Sequence, residues 1–197
     1  MAGTTQRKRL SLDANRVFDL ARESEFALEF REVFQAKGYG LVLPPTAIYE
    51  LHVIRAAGDS TAEREWAWLA LLNRKRWGIQ PFDLDSTSEA IAEQFARRRL
   101  QKRLLPEDEL NDGLILAQTS LARIPLLITS ERHLLDIDED ALLLAFNEAE
   151  LLPVHPVHPQ RLLKALRRGC NDQHFRLVRQ VPFCPSSPSV STTAQKN

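Results

Sequence analysis

Four acidic residues in the sequence could together hold a divalent metal ion: Asp13, Glu50, Asp112 and Glu131. Two carboxylates about 4 Å apart repel each other by roughly 4 kcal/mol at a surface-like dielectric, so clustered acids usually need a cation between them. Oxygen ligands of this kind suit Mg²⁺ or Mn²⁺ and do not suit structural zinc. A hard divalent ion activates water and offsets charge on a phosphodiester, so this set of residues indicates hydrolysis of a nucleic acid.

The positions of these acids depend on the elements around them. Asp13 ends an apolar stretch over residues 9–13, and Glu131 lies two residues beyond the buried strand predicted at 126–129. Further strands are predicted at 40–43, 79–83 and 152–155. Because ligands bind at the carboxyl ends of strands in an open α/β sheet, distant segments could bring their acids to one edge.

Amphipathic helices alternate with these strands. Helical spacing of apolar residues predicts one helix from Phe18 to Phe34 that stops at Gly38, and Pro44-Pro45 opens a second one that carries Glu50. The remaining helices are predicted at 61–77, from a capping box at 86–89, after Pro106 with Leu110, Leu114, Ala117 and Leu121 on one stripe, and at 141–149 and 160–168. The alternation predicts the α/β class with a mainly parallel sheet.

Length and composition bound the function. A chain of 197 residues with 26 basic and 26 acidic side chains suits one domain and excludes binding of nucleic acid by bulk charge alone. No glycine-rich phosphate loop, signal peptide or apolar run of 18 residues occurs, and Cys170 and Cys184 cannot form a disulfide framework. We therefore expect a cytoplasmic protein with no membrane partner. Residues 1–8 are predicted to be flexible and the Ser/Thr/Pro-rich residues 184–197 to be disordered, whereas residues 171–183 are left unassigned.

Four short motifs, in the right order, resemble those of PIN domains. Each motif is weak alone, and the resemblance spans about residues 9 to 160. The motifs are Asp13-Ala-Asn15, like the D-x-N start; the strand and Glu-bearing helix of residues 43–51; Asn111-Asp112-Gly-Leu-Ile-Leu-Ala117, like D-x-L-I-x-A; and Thr129-Ser-Glu131, like the T-x-D that ends a strand.

The resemblance implies a single three-layer α/β/α, Rossmann-like domain over residues 9–170 and a Mg²⁺- or Mn²⁺-dependent endoribonuclease, most similar to VapC-type toxins. It assigns the metal to Asp13, Glu50, Asp112 and the fourth acid. That fourth position carries Glu131 where the family usually has Asp, so nearby Asp136 or Asp138 could replace it. A cognate antitoxin, an RNA substrate and a homodimer are implied in the same way.

Several other residues could have either of two roles. Asn15, Thr129 and Ser130 could orient the acids or could bond local backbone. A basic cluster could contact RNA phosphates or could be a solvated helix face; its members are Arg97, Arg98, Arg99, Lys102 and Arg103, with Arg74-Lys-Arg76 as a second group. Of Trp66 and Trp68, two apart on a helix, one should be core and the other could lie at a subunit interface.

Other functions are considered beside the nuclease. A PIN fold whose site has drifted could bind RNA or protein without cleavage, and the exchange to Glu131 keeps that alternative open. A phosphoacceptor domain would use Asp83 or Asp85 but lacks a lysine after the last strand. A zinc site at His155 and His158 is disfavoured because no second ligand pair accompanies them.

Overall fold

Five short parallel strands form the centre of the protein, which was analysed as a computed structural model describing residues 8–167. All neighbouring strands pair in parallel, in the order β3-β2-β1-β4-β5. The strands are β1 (Arg9–Leu12), β2 (Gly40–Leu43), β3 (Ile79–Pro81), β4 (Leu126–Ile128) and β5 (His155–Val157). The α/β class with a central parallel sheet in a single domain is therefore confirmed.

Helices connect and flank the strands. In the described residues they are α1 (Ala14–Ala21), α2 (Glu25–Ala36), α3 (Pro45–Ala57), α4 (Thr61–Asn73), α5 (Ser86–Gln101), α6 (Leu110–Leu121), α7 (Arg132–Leu135), α8 (Glu139–Glu148) and α9 (Pro159–Arg167). Helix α3 contacts α1, α4 and α6, and α1 also contacts α4, whereas α2 contacts α1, β2 and α9. Within residues 8–167 no helix is both long and apolar enough to cross a membrane.

The strand order creates a crevice beside β1. From β1 the chain first adds β2 and β3 on one side, and it later adds β4 and β5 on the other. Leu12 pairs with Ile128, so β1 and β4 end side by side. A reversal of strand order is where an open α/β sheet binds its ligands, at the carboxyl ends of the strands. The residues that follow Leu12 and Ile128 therefore lie where a ligand site is expected.

Apolar side chains explain why these short segments form a central sheet. Leu10 and Leu12 of β1, Leu41 of β2 and Leu127 of β4 are at most 2% exposed. Burying a leucine fully stabilises a protein by roughly 1.5–3 kcal/mol. Strands covered on both faces are expected to be apolar almost throughout. Strands β2 and β4 are, whereas β1 also contains Arg9 and the buried Ser11.

The single helix predicted from Phe18 to Phe34 is wrong, because the chain forms two helices there. Helix α1 ends at Ala21 and α2 begins at Glu25, with Glu23 in the left-handed region at φ 56°. No glycine or proline marks this turn. Both helices bury an apolar face, so the helical spacing of apolar residues continues from one helix to the next and does not reveal the break. The stop at Gly38 is confirmed, since its φ is +81° just beyond α2.

The last predicted strand lies three residues too early. The segment at 152–155 contains Pro153, which has no backbone N–H, and Leu152 is 50% exposed. Pairing starts only where the His155 amide donates to the Pro125 carbonyl at 2.9 Å, and it continues to Val157. Strand pairing, rather than local hydrophobicity, fixes this boundary.

Two helix predictions also need correction. Helix α5 is capped by Asp85, which accepts from the Ser88 amide at 2.7 Å, so the capping pattern predicted to start at Ser86 is shifted by one residue. In α6 the predicted apolar stripe is too narrow. Ala117 is buried but Leu114 is only half-buried, whereas Ile115 is fully buried. Helix α6 contacts α5, α3 and β4, so most of its circumference faces protein.

Helix α6 is fixed closely against its neighbours. The Gln118 side chain accepts from the Thr46 amide at 3.1 Å and donates to the Thr46 hydroxyl at 2.8 Å, which ties α6 to the start of α3. A Cβ at Gly113 would lie 2.8 Å from the Cβ of Ala96, so only glycine permits this approach of α5. These contacts set the positions of the acids on α3 and α6.

The predictions for residues 1–7 and 168–197, including Cys170 and Cys184, lie outside the described residues.

Candidate metal centre

Asp13 leaves β1 directly at the crevice. Its amide donates to the Ile128 carbonyl at 3.0 Å, and its side chain is 3% exposed. One carboxylate oxygen, Oδ1, accepts from the Ala14 amide at 2.6 Å and caps α1. The other, Oδ2, accepts from the Thr129 hydroxyl at 2.6 Å and from the Asn15 amide group at 3.0 Å. Asp13 thus caps a helix and also faces the end of β4.

The end of β4 carries the other half of this contact. Thr129 accepts from the Glu131 amide at 3.0 Å through the same hydroxyl that donates to Asp13. The Asn15 Nδ2 group donates to Glu131 Oε1 at 2.8 Å while it also contacts Asp13. Asn15 and Thr129 therefore hold two carboxylates of like charge beside each other.

Arg16 fixes the orientation of the Asn15 amide. Its Nε donates to Asn15 Oδ1 at 2.9 Å, which turns the Asn15 Nδ2 group toward the carboxylates. The Arg16 guanidinium also contacts the Ser130 hydroxyl and pairs with Asp19 Oδ2 at 2.6 Å. Ser130 thus contacts Arg16, whose positive charge acts on Asp13 and Glu131.

A second group of ligands lies at the start of α6. Asp112 is buried in the first turn of that helix, with Glu109 one turn before it. His133, from the short helix α7, contacts Asp112 Oδ2 through Nε2, and the same nitrogen lies 3.8 Å from Glu109 Oε2. One ligand atom from each of these three residues lies within 4.8 Å of the others. The three form a compact potential metal site.

Glu50 joins the two groups electrostatically. Burial, together with the charges of Asp13, Asp112 and Glu109, raises the pKa of Glu50 to about 8, although a hydrogen bond with Asn111 lowers it. The pKa of Asp112 is likewise raised to about 6, chiefly by burial; the charges of Asp13 and Glu109 contribute, and His133 opposes them. The structure thus brings the acids of β1, α3 and α6 into one electrostatic cluster.

The electrostatics of the cluster suit a cation. Burial also raises the pKa of Asp13, even though the Thr129 and Ala14 hydrogen bonds favour its ionised form. For buried carboxyl groups that raise one another's pKa, a nearby positive charge favours the ionised form. A donor set of carboxylates with one imidazole can supply oxygen and nitrogen ligands to a divalent ion. The residues present therefore fit the metal that the sequence predicts.

The two acids predicted as possible substitutes for Glu131 lie at the end of α7 and the start of α8. Asp136 and Asp138 are both exposed. Asp138 caps α8 by accepting from the Ala141 amide at 2.8 Å. By contrast, Glu131 bonds to Asn15 in the cluster.

The predicted basic cluster divides into paired and exposed members. Arg99 is 2% exposed, stacks on Phe95 and pairs with Glu148, so it is not open to an incoming phosphate. Lys102 pairs with the same Glu148 at 2.6 Å, and Arg97 pairs with Glu93 at 2.6 Å. Arg98 and Arg103 are the other two members, and both are exposed.

The remaining candidates lie away from this cluster. His155 is 3.4 Å from Glu139, and no close group of metal ligands within residues 8–167 includes either His155 or His158. Trp66 is half-buried against Phe18, with ring centroids 5.8 Å apart, whereas Trp68 is 43% exposed.

Sequence reasoning did not select Glu109, His133 or Arg16. A weak signal existed for each. Glu109 is three residues before Asp112 and so lies on the same helix face, and His133 is two residues after Glu131. Arg16 directly follows the D-x-N motif. None of the three could be assigned without knowing which elements meet at the crevice.

Comparison with solved structures identifies the fold. The chain is similar to a chain of VapBC2 from Rickettsia felis bound to a DNA fragment from their promoter, with a TM-score of 0.51 and 13% identity over 75% of this chain and 98% of that chain. The fold is PIN-like. The chain is also similar to FitAcB from Neisseria gonorrhoeae, with a TM-score of 0.46 and 18% identity over 77% of this chain and 98% of that chain. For FitAB bound to an IR36 DNA fragment, the TM-score is 0.47 and the identity 17%, over 76% of this chain and 94% of that chain. Neither a protein-family model nor a curated protein matches the sequence.

The PIN-like fold confirms the resemblance given by the sequence motifs. In this PIN-like fold, Asp13 and Glu131 follow adjacent strands, while Glu50 and Asp112 lie on helices that contact each other. At these identities the likeness shows the fold alone.

Proposed function

We propose that the protein is a divalent-metal-dependent endoribonuclease with its active site at the ends of β1 and β4. One observation carries the proposal: acids from four separated segments converge at the point where the strand order reverses. In the sequence, the other three acids follow Asp13 by 37 to 118 positions. The charges of the four acids nevertheless act on one another directly or through shared neighbours. Such a cluster is expected of a metal site and is costly without one.

Each residue has a distinct part in this proposal. Asp13, Glu50, Asp112 and Glu131 would hold Mg²⁺ or Mn²⁺, and Asn15 with Thr129 would keep Asp13 and Glu131 in place. The chemistry that such an ion supplies when bound is activation of water and neutralisation of phosphate charge. The protein's own contribution is a fixed array of carboxylates whose like charges are held together by hydrogen bonds before the ion arrives.

We expect Asp112→Asn to lower cleavage more than Glu131→Ala does. Asp112 is buried and feels the charges of Asp13, Glu109 and His133, so its loss changes the centre of the cluster. Glu131 is half-buried, and its described side-chain contact is with Asn15. The measurement is single-turnover cleavage of a labelled RNA with saturating Mn²⁺, with the exposed Asp136→Asn as the matched control.

Equal losses in the two variants would give Glu131 a full share in metal binding. Loss of cleavage in Asp136→Asn would move the site toward α7 and contradict the proposed residues. Wild-type protein that binds RNA but cleaves none with any divalent ion would instead support the alternative of a drifted PIN fold that acts as a binding module.

We further propose contacts beyond the metal. Arg98 and Arg103 are the members of the basic cluster that could meet RNA phosphates, since the other three are paired with acids. VapBC2, which has the same fold, was solved on promoter DNA, and this supports a cognate antitoxin for the present chain. Helices α3 and α4 expose Tyr49, Val53, Trp68 and Leu72, which offer apolar surface for the antitoxin or for a homodimer. A cytoplasmic location would give access to RNA.

A further inference from the structure

His133 introduces a nitrogen ligand at a site otherwise built from carboxylates. Its Nε2 contacts Asp112 and lies 3.8 Å from Glu109, and the charge of Glu131 also acts on the ring. The ring is held by α7, which begins directly after Glu131 at the end of β4. The structure thus places one imidazole nitrogen against two carboxylates, in the field of a third.

The distances around this nitrogen suit a shared ion. Ligand atoms about 2.0–2.2 Å from one ion lie roughly 3–4 Å from each other. The 3.8 Å between His133 Nε2 and Glu109 Oε2 is in that range, whereas the direct contact of His133 with Asp112 would open to admit the ion. Small movements of two side chains would therefore convert the contact into a site with two oxygens and one nitrogen.

Resting on the proposed function, we infer that His133 is a metal ligand and that the centre selects a first-row transition-metal dication over Mg²⁺. Mg²⁺ prefers oxygen ligands and retains water, whereas sites with a nitrogen ligand bind first-row transition metals with an affinity that rises from Mn²⁺ to Co²⁺. Carboxylates alone would leave the choice between Mg²⁺ and Mn²⁺ open. The imidazole removes that ambiguity.

A purely electrostatic role for His133 makes the opposite prediction. If the ring only offset the negative charge of Asp112 and Glu109, it would compete with any cation. Replacing it with alanine would then increase the affinity for Mg²⁺, Mn²⁺ and Co²⁺ alike. If the ring is a ligand, His133→Ala lowers the affinity for Mn²⁺ and Co²⁺ and leaves that for Mg²⁺ unchanged or higher.

The test measures metal binding without RNA, so that it is independent of cleavage. Dissociation constants for Mg²⁺, Mn²⁺ and Co²⁺ are obtained from the metal dependence of the melting temperature of the full chain. Since loss of even an outer partner of a metal ligand lowers affinity about 10- to 100-fold, His133→Ala should weaken Mn²⁺ and Co²⁺ binding at least about tenfold. His155→Ala is the matched control, because it removes an imidazole that lies beside Glu139 instead.

Pulsed EPR of the Mn²⁺-loaded protein supplies a second, direct readout. We expect ¹⁴N hyperfine coupling from one imidazole in the wild type and in His155→Ala, and its loss in His133→Ala. Absence of ¹⁴N coupling in the wild type, or equal changes in Mg²⁺ and Mn²⁺ affinity in His133→Ala, would overturn the inference. Metal binding through His133 without any RNA cleavage would leave the inference standing and contradict the proposed nuclease.

Discussion

The Asp13→Asn protein is expected to fold as well as the wild type and to lose metal-dependent cleavage. The amide keeps an oxygen for the Ala14 amide, and Thr129 can reverse its hydroxyl to accept from the new Nδ2 group. The contact with Asn15 is lost, but one of several mutually repelling charges is removed as well. These effects oppose each other, so we expect the metal-free stability to change by less than about 1 kcal/mol.

The metal response should separate the two proteins clearly. An ion at about 100 times its dissociation constant stabilises a protein by about 2.7 kcal/mol, which corresponds to roughly 5–10 °C for a domain of this size. We expect that shift with Mn²⁺ in the wild type and little of it in Asp13→Asn. The control is Asp138→Asn, the same change at a helix-capping aspartate that is exposed on α8. A full Mn²⁺ shift and full cleavage in Asp13→Asn would remove Asp13 from the site.

The metal-free protein is expected to lose stability as the pH rises from about 5 to 8. The folded chain holds a proton on Glu50 up to a pKa of about 8 and on Asp112 up to about 6. An unfolded chain releases both protons near pH 4, so the folded state binds more protons in this interval and its free energy of unfolding falls. His133 acts in the same direction, because its pKa is raised in the folded state: burial lowers it, but Asp112, Glu109 and Glu131 outweigh burial.

The size of this loss identifies its source. Because these groups interact strongly, we expect the free energy of unfolding to fall by about 2 to 4 kcal/mol in total, which is less than the sum of the separate pKa shifts would give. Urea unfolding in EDTA at several pH values measures it. Glu50→Gln should be more stable than the wild type at pH 8 and should lose most of the slope, whereas Glu89→Gln on the exposed part of α5 should keep it. A wild-type stability that rises between pH 5 and 8 would contradict the buried cluster.

Added Mn²⁺ should reverse the pH trend. Carboxylates must lose their protons to bind a metal, so protons compete with the ion at pH 5 and no longer do so at pH 8. We therefore expect the Mn²⁺-induced gain in melting temperature to be larger at pH 8 than at pH 5 for the wild type. The same gain at both values would show that the ion binds away from Glu50 and Asp112.

The sequence predicts the parts of this protein that depend on short-range pattern. The strands of residues 40–43 and 126–128 are continuous apolar runs, and the strand of residues 9–12, Arg-Leu-Ser-Leu, is followed directly by Asp13. Since parallel strands deliver their carboxyl ends to one edge, the position of Asp13 beside Thr129 could be expected. The order of the four motifs was sufficient for the PIN-like fold.

Features that depend on packing between distant elements could not be predicted. The break after α1 leaves no mark in the apolar period, and the last strand is set by pairing with β4. In the sequence, Arg99 is one of several arginines in a row, and only the structure shows that it pairs with Glu148 on a different helix. His133 likewise acquires a role only because α7 faces the first turn of α6.

Metal reconstitution of RNA cleavage distinguishes a metal-dependent nuclease from a protein that only binds metal. Purified wild-type protein is stripped with EDTA, and single-turnover cleavage of a labelled RNA is followed while Mn²⁺ is added back, beside a parallel measurement of Mn²⁺ binding. We predict no cleavage in EDTA, and a rate that rises with Mn²⁺ in proportion to occupancy of the site. Cleavage that persists in EDTA, or a site that fills with Mn²⁺ without any cleavage, would contradict a metal-dependent nuclease.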